Sequence, residues 1–120
     1  MRKERLLEKF GNIYIDFVRD SVLKGMEEIV NNEYNELMPN QLELLKIIVA
    51  TTIDKTLHST LLMLQEYEEE MQLIMLDEDY HERSLGKISD NLCEKLYGKD
   101  GWIKKYSKYP TRIEELENFN

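Results

Sequence analysis

Residues 40–66 read NQLELLKIIVATTIDKTLHSTLLMLQE, and the folding of this stretch decides the architecture. Pro39 stops whatever precedes it, because its ring clashes with a preceding turn and its nitrogen donates nothing. Asn40 suits an N-cap, whose side-chain oxygen accepts from a first-turn amide. Glu43 stands where it can reach back to the cap residue, as in a capping box. No Gly or Pro follows until Gly86, so nothing local ends the helix early. Leu42, Leu45, Val49, Ile53, Leu57, Leu61 and Leu64 recur at three- and four-residue steps, which places them on one face. Leu44, Ile47, Ile48 and Leu62 fall largely on the other. A helix apolar nearly all round is covered on both sides. The spacing therefore predicts a central helix over about 41–66, roughly 40 Å long at 1.5 Å per residue.

Upstream, Phe10, Tyr14, Phe17 or Val18, Val22, Met26, Ile29 or Val30, Tyr34 and Leu37 form a second stripe, predicting a helix over about 13–37. Gly11-Asn12 marks a break before it. Gly25, inside it, suggests close approach of another backbone, since an interior Gly costs about 1 kcal/mol relative to Ala. Asn31, Asn32 and Asn35 weaken its end. The short connection makes the two helices antiparallel neighbours.

Downstream, the charge run Glu68-Glu69-Glu70 precedes a six-residue apolar run, Met71 to Leu76, which ends at Asp77-Glu78-Asp79. A run of that size after a charged break suits a strand. The expectation is a β-hairpin over about 71–88; the alternative, continued helix, gives an all-α bundle. Ser89-Asp90 offers a cap before Leu92, Cys93 and Leu96. Gly98 and Gly101 bracket a tight turn before Trp102, Ile103 and Tyr106, and Thr111-x-x-Glu114 reads as a capping box for a last short helix. The predicted fold is a single domain over 1–120, mostly helical α+β.

Length and an apolar content of 42% suit a core that needs no staples. No uninterrupted apolar run approaches a membrane span, and the N-terminus lacks the apolar region of a secretory signal. Cys93 is the only cysteine, which excludes an intrachain disulfide and points to a buried thiol in a reducing, cytoplasmic setting. Net charge is −8 and unevenly spread: Lys95–Arg112 holds six cations against Asp100 alone. An acidic body repels nucleic acid and membrane phosphates and favours basic partners.

Phosphate-loop, dinucleotide-fold, zinc-protease and serine-elbow motifs are absent from the sequence. Asp54 and His58 stand four apart on the second face of the central helix, where a carboxylate could hold an imidazole in one tautomer for acid–base work; a plain surface ion pair is the competing reading. Asp77, Glu78, Asp79, His81 and Glu82 are the densest set of ligand-type residues, but they do not have the spacing of an EF-hand and read as a solvated turn, so no metal is expected. No cofactor is expected either. In the cationic segment, Trp102, Lys104, Lys105, Tyr106, Lys108 and Tyr109 interleave aromatics with positive charge. That pattern serves protein hot spots and, less well in so acidic a chain, single-stranded nucleic acid; the competing reading is that Trp102 and Tyr106 pack into the core while Lys104, Lys105 and Lys108 face out.

These features favour a small acidic cytoplasmic binding or accessory protein of bacterial type, without catalytic activity. One concrete form is an immunity- or inhibitor-like protein engaging a basic macromolecular partner. The alternatives are a small enzyme built on Asp54 and His58, and a homodimer formed through the second face of the central helix. Neither a membrane nor nucleic acid is an expected partner.

Overall fold

In the computed structural model, residues 2–34 and 36–119 are described. Asn35, one of the asparagines expected to weaken the first helix, lies outside the described residues. The first rod has three parts: α1 (Arg2–Ile13), a π-helical segment (Tyr14–Asp20) and α2 (Ser21–Glu33). It turns back into α3 (Pro39–Glu66). A two-stranded antiparallel hairpin follows, β1 (Ile74–Leu76) and β2 (Glu82–Ser84), with Met75 opposite Arg83. A 3₁₀ turn (Leu92–Leu96), α4 (Trp102–Tyr106) and α5 (Ile113–Glu117) close the chain. The fold is mostly helical α+β, with two long antiparallel helices and a small hairpin.

Several local expectations shift. The first rod runs through Gly11-Asn12 as helix, because the tertiary packing of one apolar stripe outweighs two weak helix formers. The central helix starts one residue before Asn40. Pro39 takes the first helical position, where its missing N–H costs nothing, and the Gln41 side chain accepts from Met38 N at 2.9 Å. Gln41, not Glu43, is the residue that reaches back. Similarly, α5 begins at Ile113 with Arg112 at its cap position and no capping side chain. Arg112 instead binds Glu115 and Glu43.

The π-helical segment changes which side of the first rod is buried. With more residues per turn than an α-helix, it rotates everything after it relative to the 3.6-residue pattern. Ile15, Arg19, Leu23 and Val30 point inward. Of the stripe's alternatives, Val30 is buried and Ile29 is not, whereas Val22, which the stripe assigned to the core, is 51% exposed and both Phe17 and Val18 face out.

The core gathers Leu7, Tyr14 and Ile15 from the first rod, Leu57 and Leu61 from α3, and Leu85, Leu92, Cys93, Leu96, Trp102 and Ile103 from the rest. Trp102 is 1% exposed and lies over Gly11; a Cβ built there would sit 2.5 Å from the indole ring. The close approach expected at Gly25 is absent: a Cβ there would meet nothing within 4 Å. On α3, the buried positions Ile47, Ala50, Thr51, Asp54, Leu57 and Leu61 draw on both expected faces. The residues after Leu92 cover the side bearing Asp54. By length and mean hydropathy α3 also meets the requirement for crossing a membrane, which no clean apolar run suggested. In this fold its inner side faces the first rod and the C-terminal segment.

Candidate functional site

Three polar centres carry most of the buried or half-buried chemistry. The first surrounds Arg19, which is fully buried. Its Nε donates to Asp54 Oδ1 at 2.6 Å and its Nη2 to Asp54 Oδ2 at 3.1 Å, a two-pronged pair. Nη1 donates to Ser107 Oγ at 2.7 Å and to the Tyr109 carbonyl at 2.6 Å. Asp20 extends the network: Oδ1 accepts from Ser107 Oγ at 2.7 Å and Oδ2 from Lys108 N at 3.0 Å. The π-helical segment, α3 and residues 107–110 are thus joined at one guanidinium.

This arrangement answers what surrounds Asp54 and His58. Both carboxylate oxygens of Asp54 are engaged by Arg19. His58 is half-buried, and its ring stacks on Tyr97 with centroids 6.0 Å apart. Tyr97 Oη donates to the Asp54 carbonyl at 3.2 Å, and burial raises the Tyr97 phenol above its ordinary pKa, reinforced by the Asp54 charge. Asp54 therefore orients a guanidinium rather than an imidazole. Sequence reasoning had not singled out Arg19. A basic residue within an otherwise apolar stripe, one helix turn from Ile15 and Leu23, was the available signal.

The second centre is Glu8. Its carboxylate accepts from Trp102 Nε1 at 3.1 Å, Lys105 Nζ at 2.6 Å and Tyr106 Oη at 2.6 Å. Burial acts to raise the Glu8 pKa, but the three donors outweigh it and hold the carboxyl below its usual value. Burial, with the adjoining carboxylate, pushes the Tyr106 phenol up to about 12.

The cationic–aromatic segment is consequently divided. Trp102 and Tyr106 turn inward to Glu8, and Lys105, itself exposed, reaches the same carboxylate from outside. Tyr109 is half-buried beside Leu23 and Met26. Lys108 is exposed, with only its backbone N–H tied to Asp20. Lys104 is exposed on the edge of a cleft of about 650 Å³ floored by Leu96, Ile103, Pro110 and Ile113. The six residues do not form one outward patch.

The third centre is the hairpin turn. Asp77 is buried, and its Oδ1 accepts from His81 N and Asp79 N at 2.9 Å each, while Oδ2 accepts from Arg83 Nε at 3.2 Å. The bond from the His81 backbone is foremost in holding the Asp77 carboxyl below its ordinary value; Asp79 N and Arg83 act the same way. Ligand atoms of Asp77, Asp79 and His81 do lie within 4.8 Å of one another. Arg83 and two backbone amides already serve Asp77, which suits a turn staple.

Around that turn lies a surface no sequence pattern had assigned. Ile74 and Leu76, two residues apart, face outward from β1, and Met75 between them packs on the core. Tyr80 holds a left-handed φ of 62° and is 81% exposed. Asp79, Glu82 and Glu78, the last paired with Arg5, flank these apolar groups. Tyr67 and Met71, exposed, and Glu66, Glu69 and Glu70 continue the same composition from the end of α3.

No protein-family model, curated protein or solved structure matches this chain. Functional inference therefore rests on these surfaces alone.

Proposed function

We propose that this is a non-catalytic binding protein that engages a basic protein partner through the hairpin end, in the manner of an inhibitor or immunity protein. The observation that carries the reading is the exposed set Ile74, Leu76 and Tyr80 among Glu78, Asp79 and Glu82. Aromatic and aliphatic anchors supply contact area, and a ring of one charge selects partners of the other and speeds encounter.

Tyr80 adds a second argument. The turn joins Asp77 to His81, with Asp77 N bonded to the His81 carbonyl at 3.0 Å and three residues between them. In such three-residue turns the last position is left-handed and suits Gly. A tyrosine there keeps a strained backbone and presents its ring to solvent. Strain of this kind collects where function needs it. Meanwhile Arg19, Asp54 and Glu8 spend their polar atoms on internal bonds, which is a structural rather than a chemical use.

The test is affinity capture from a cell extract with the intact chain, its Tyr80→Ala/Leu76→Ser variant, and a variant with Glu78, Asp79 and Glu82 changed to Gln. The expected result is one basic protein retained by the intact chain and lost by both variants, with association slowing as salt rises. Capture that survives both variants overturns the reading.

A further inference from the structure

The hairpin has two edges, and they differ. Asp77 N donates to the His81 carbonyl at 3.0 Å and Leu85 N to the Leu73 carbonyl at 2.8 Å, so Leu73, Met75 and Asp77 are the residues that bond across to β2. In an antiparallel ladder the positions between them turn their backbone N–H and C=O the other way. Ile74 and Leu76 therefore aim two donors and two acceptors at the free edge of β1, and among the described residues no hydrogen bond reaches these groups. On β2 the matching edge is closed at Ser84, whose carbonyl accepts from Lys87 N at 3.1 Å and Ile88 N at 3.2 Å. Natural edges are often blunted by charge or proline. The run from Met71 to Leu76 contains neither. At the turn end, a cleft of about 160 Å³ separates Leu76, Asp77 and Glu78 from Arg5, Leu6 and Lys9 of α1.

We propose that β1 takes a third strand from an extended, basic segment of the partner, running antiparallel to it. This rests on the reading of the hairpin end as the binding surface and states how the partner is held there. Unpaired backbone groups at strand spacing are matched by another extended backbone. A helix uses its own N–H and C=O groups internally and cannot supply them. Ile74 and Leu76 also carry the exposed outward side chains of β1. Residues that bond to the edge at these two positions lay their own side chains beside them on the same face.

Charge selects the occupant. Exposed Glu82 stands opposite Leu76, and exposed Glu69 and Glu70 come just before the apolar run. Cations near the hairpin are already paired: Arg5 with Glu78, Arg83 with Asp77 and Lys87 with Glu68, while Lys9 lies across the cleft. A segment with lysine or arginine on both sides of its apolar part meets carboxylates at both ends of β1. A second copy of the chain does not fit. Antiparallel pairing of two β1 edges would set each acidic turn beside the other copy's Glu68-Glu69-Glu70, and each chain carries −8.

An NMR titration with amide hydrogen exchange on the intact chain tests this. The probes are the peptide Lys-Lys-Val-Thr-Val-Lys-Lys, the same peptide methylated at both valine nitrogens, and Glu-Glu-Val-Thr-Val-Glu-Glu. The valines are placed to pair with Leu76 and Ile74. The basic peptide is expected to bind and, at saturation, to slow exchange of the Ile74 and Leu76 amides at least about tenfold. Both other peptides are expected to bind at least about tenfold more weakly. Unchanged exchange at Ile74 and Leu76, or equal binding by the methylated peptide, overturns strand addition while leaving a basic partner at the hairpin end in place. Equal binding by the glutamate peptide overturns both. Failure of all three to bind overturns strand addition, and capture from the cell extract then decides the basic-partner reading separately.

Discussion

Arg19 and Asp54, 35 residues apart in the chain, face each other as a buried two-pronged ion pair with a shortest contact of 2.6 Å. Removing one partner strands the other charge away from water. Asp54→Ala should therefore lower unfolding free energy by about 3–5 kcal/mol, measured by urea denaturation. Arg19→Lys should also destabilise, because an ammonium cannot fork across both carboxylate oxygens. Arg19→Met combined with Asp54→Leu should recover roughly half of the loss or more, since neither charge then remains buried alone. A double variant as unstable as Asp54→Ala would show that Ser107 and the Tyr109 carbonyl, rather than Asp54, make Arg19 indispensable.

Gly11 and Gly25 sit in helical segments of the same rod but predict opposite outcomes. A methyl group on Gly11 meets the Trp102 ring at 2.5 Å. Gly11→Ala should destabilise by about 1–3 kcal/mol through overpacking, and should alter the emission of Trp102, the only tryptophan. Gly25→Ala meets nothing within 4 Å. It should stabilise by about 0.5–1 kcal/mol, as removal of an interior helical glycine does. Thermal melts of the two variants decide between these signs.

Acid sensitivity should track Glu8. Its folded pKa lies below the ordinary 4.5. The group binds fewer protons folded than unfolded, so its contribution is complete above the unfolded value and is lost as pH falls through the lower folded one. Glu8→Gln should therefore cost stability at neutral pH and flatten the decline between about pH 5 and pH 3. An unchanged acid limb in the melting temperature of Glu8→Gln would remove Glu8 as its source.

Tyr80 separates stability from binding. Its left-handed backbone favours Gly. Tyr80→Gly should raise stability by about 1 kcal/mol while weakening capture of the basic partner. Equal capture by the more stable variant would mean that the turn's ring is dispensable.

Much of the site logic was illegible before folding because it depends on rotation. The even stripe through Phe17 or Val18 and Val22 looks like a core in sequence, yet the π-helical segment turns it outward and brings Arg19 in. Asp54 and His58 have the spacing of a pair, but a side chain 35 positions away takes the carboxylate first. In the cationic–aromatic run, inward packing of Trp102 and Tyr106 with the lysines outside is legible in the sequence, but the group they meet, Glu8, lies about a hundred residues upstream and is not.

What the sequence determined by itself was local and periodic: a long apolar helix stopped upstream by Pro39, an antiparallel partner before it, a strand-sized run before an acidic turn, a buried thiol at Cys93 and a strongly acidic balance. These follow from propensity, spacing and composition, which act over a few residues. Only the tertiary structure decided which face of each helix is covered, which charge meets which, and which apolar groups remain in solvent. Those outcomes depend on contacts between residues far apart in the chain, which local spacing does not encode.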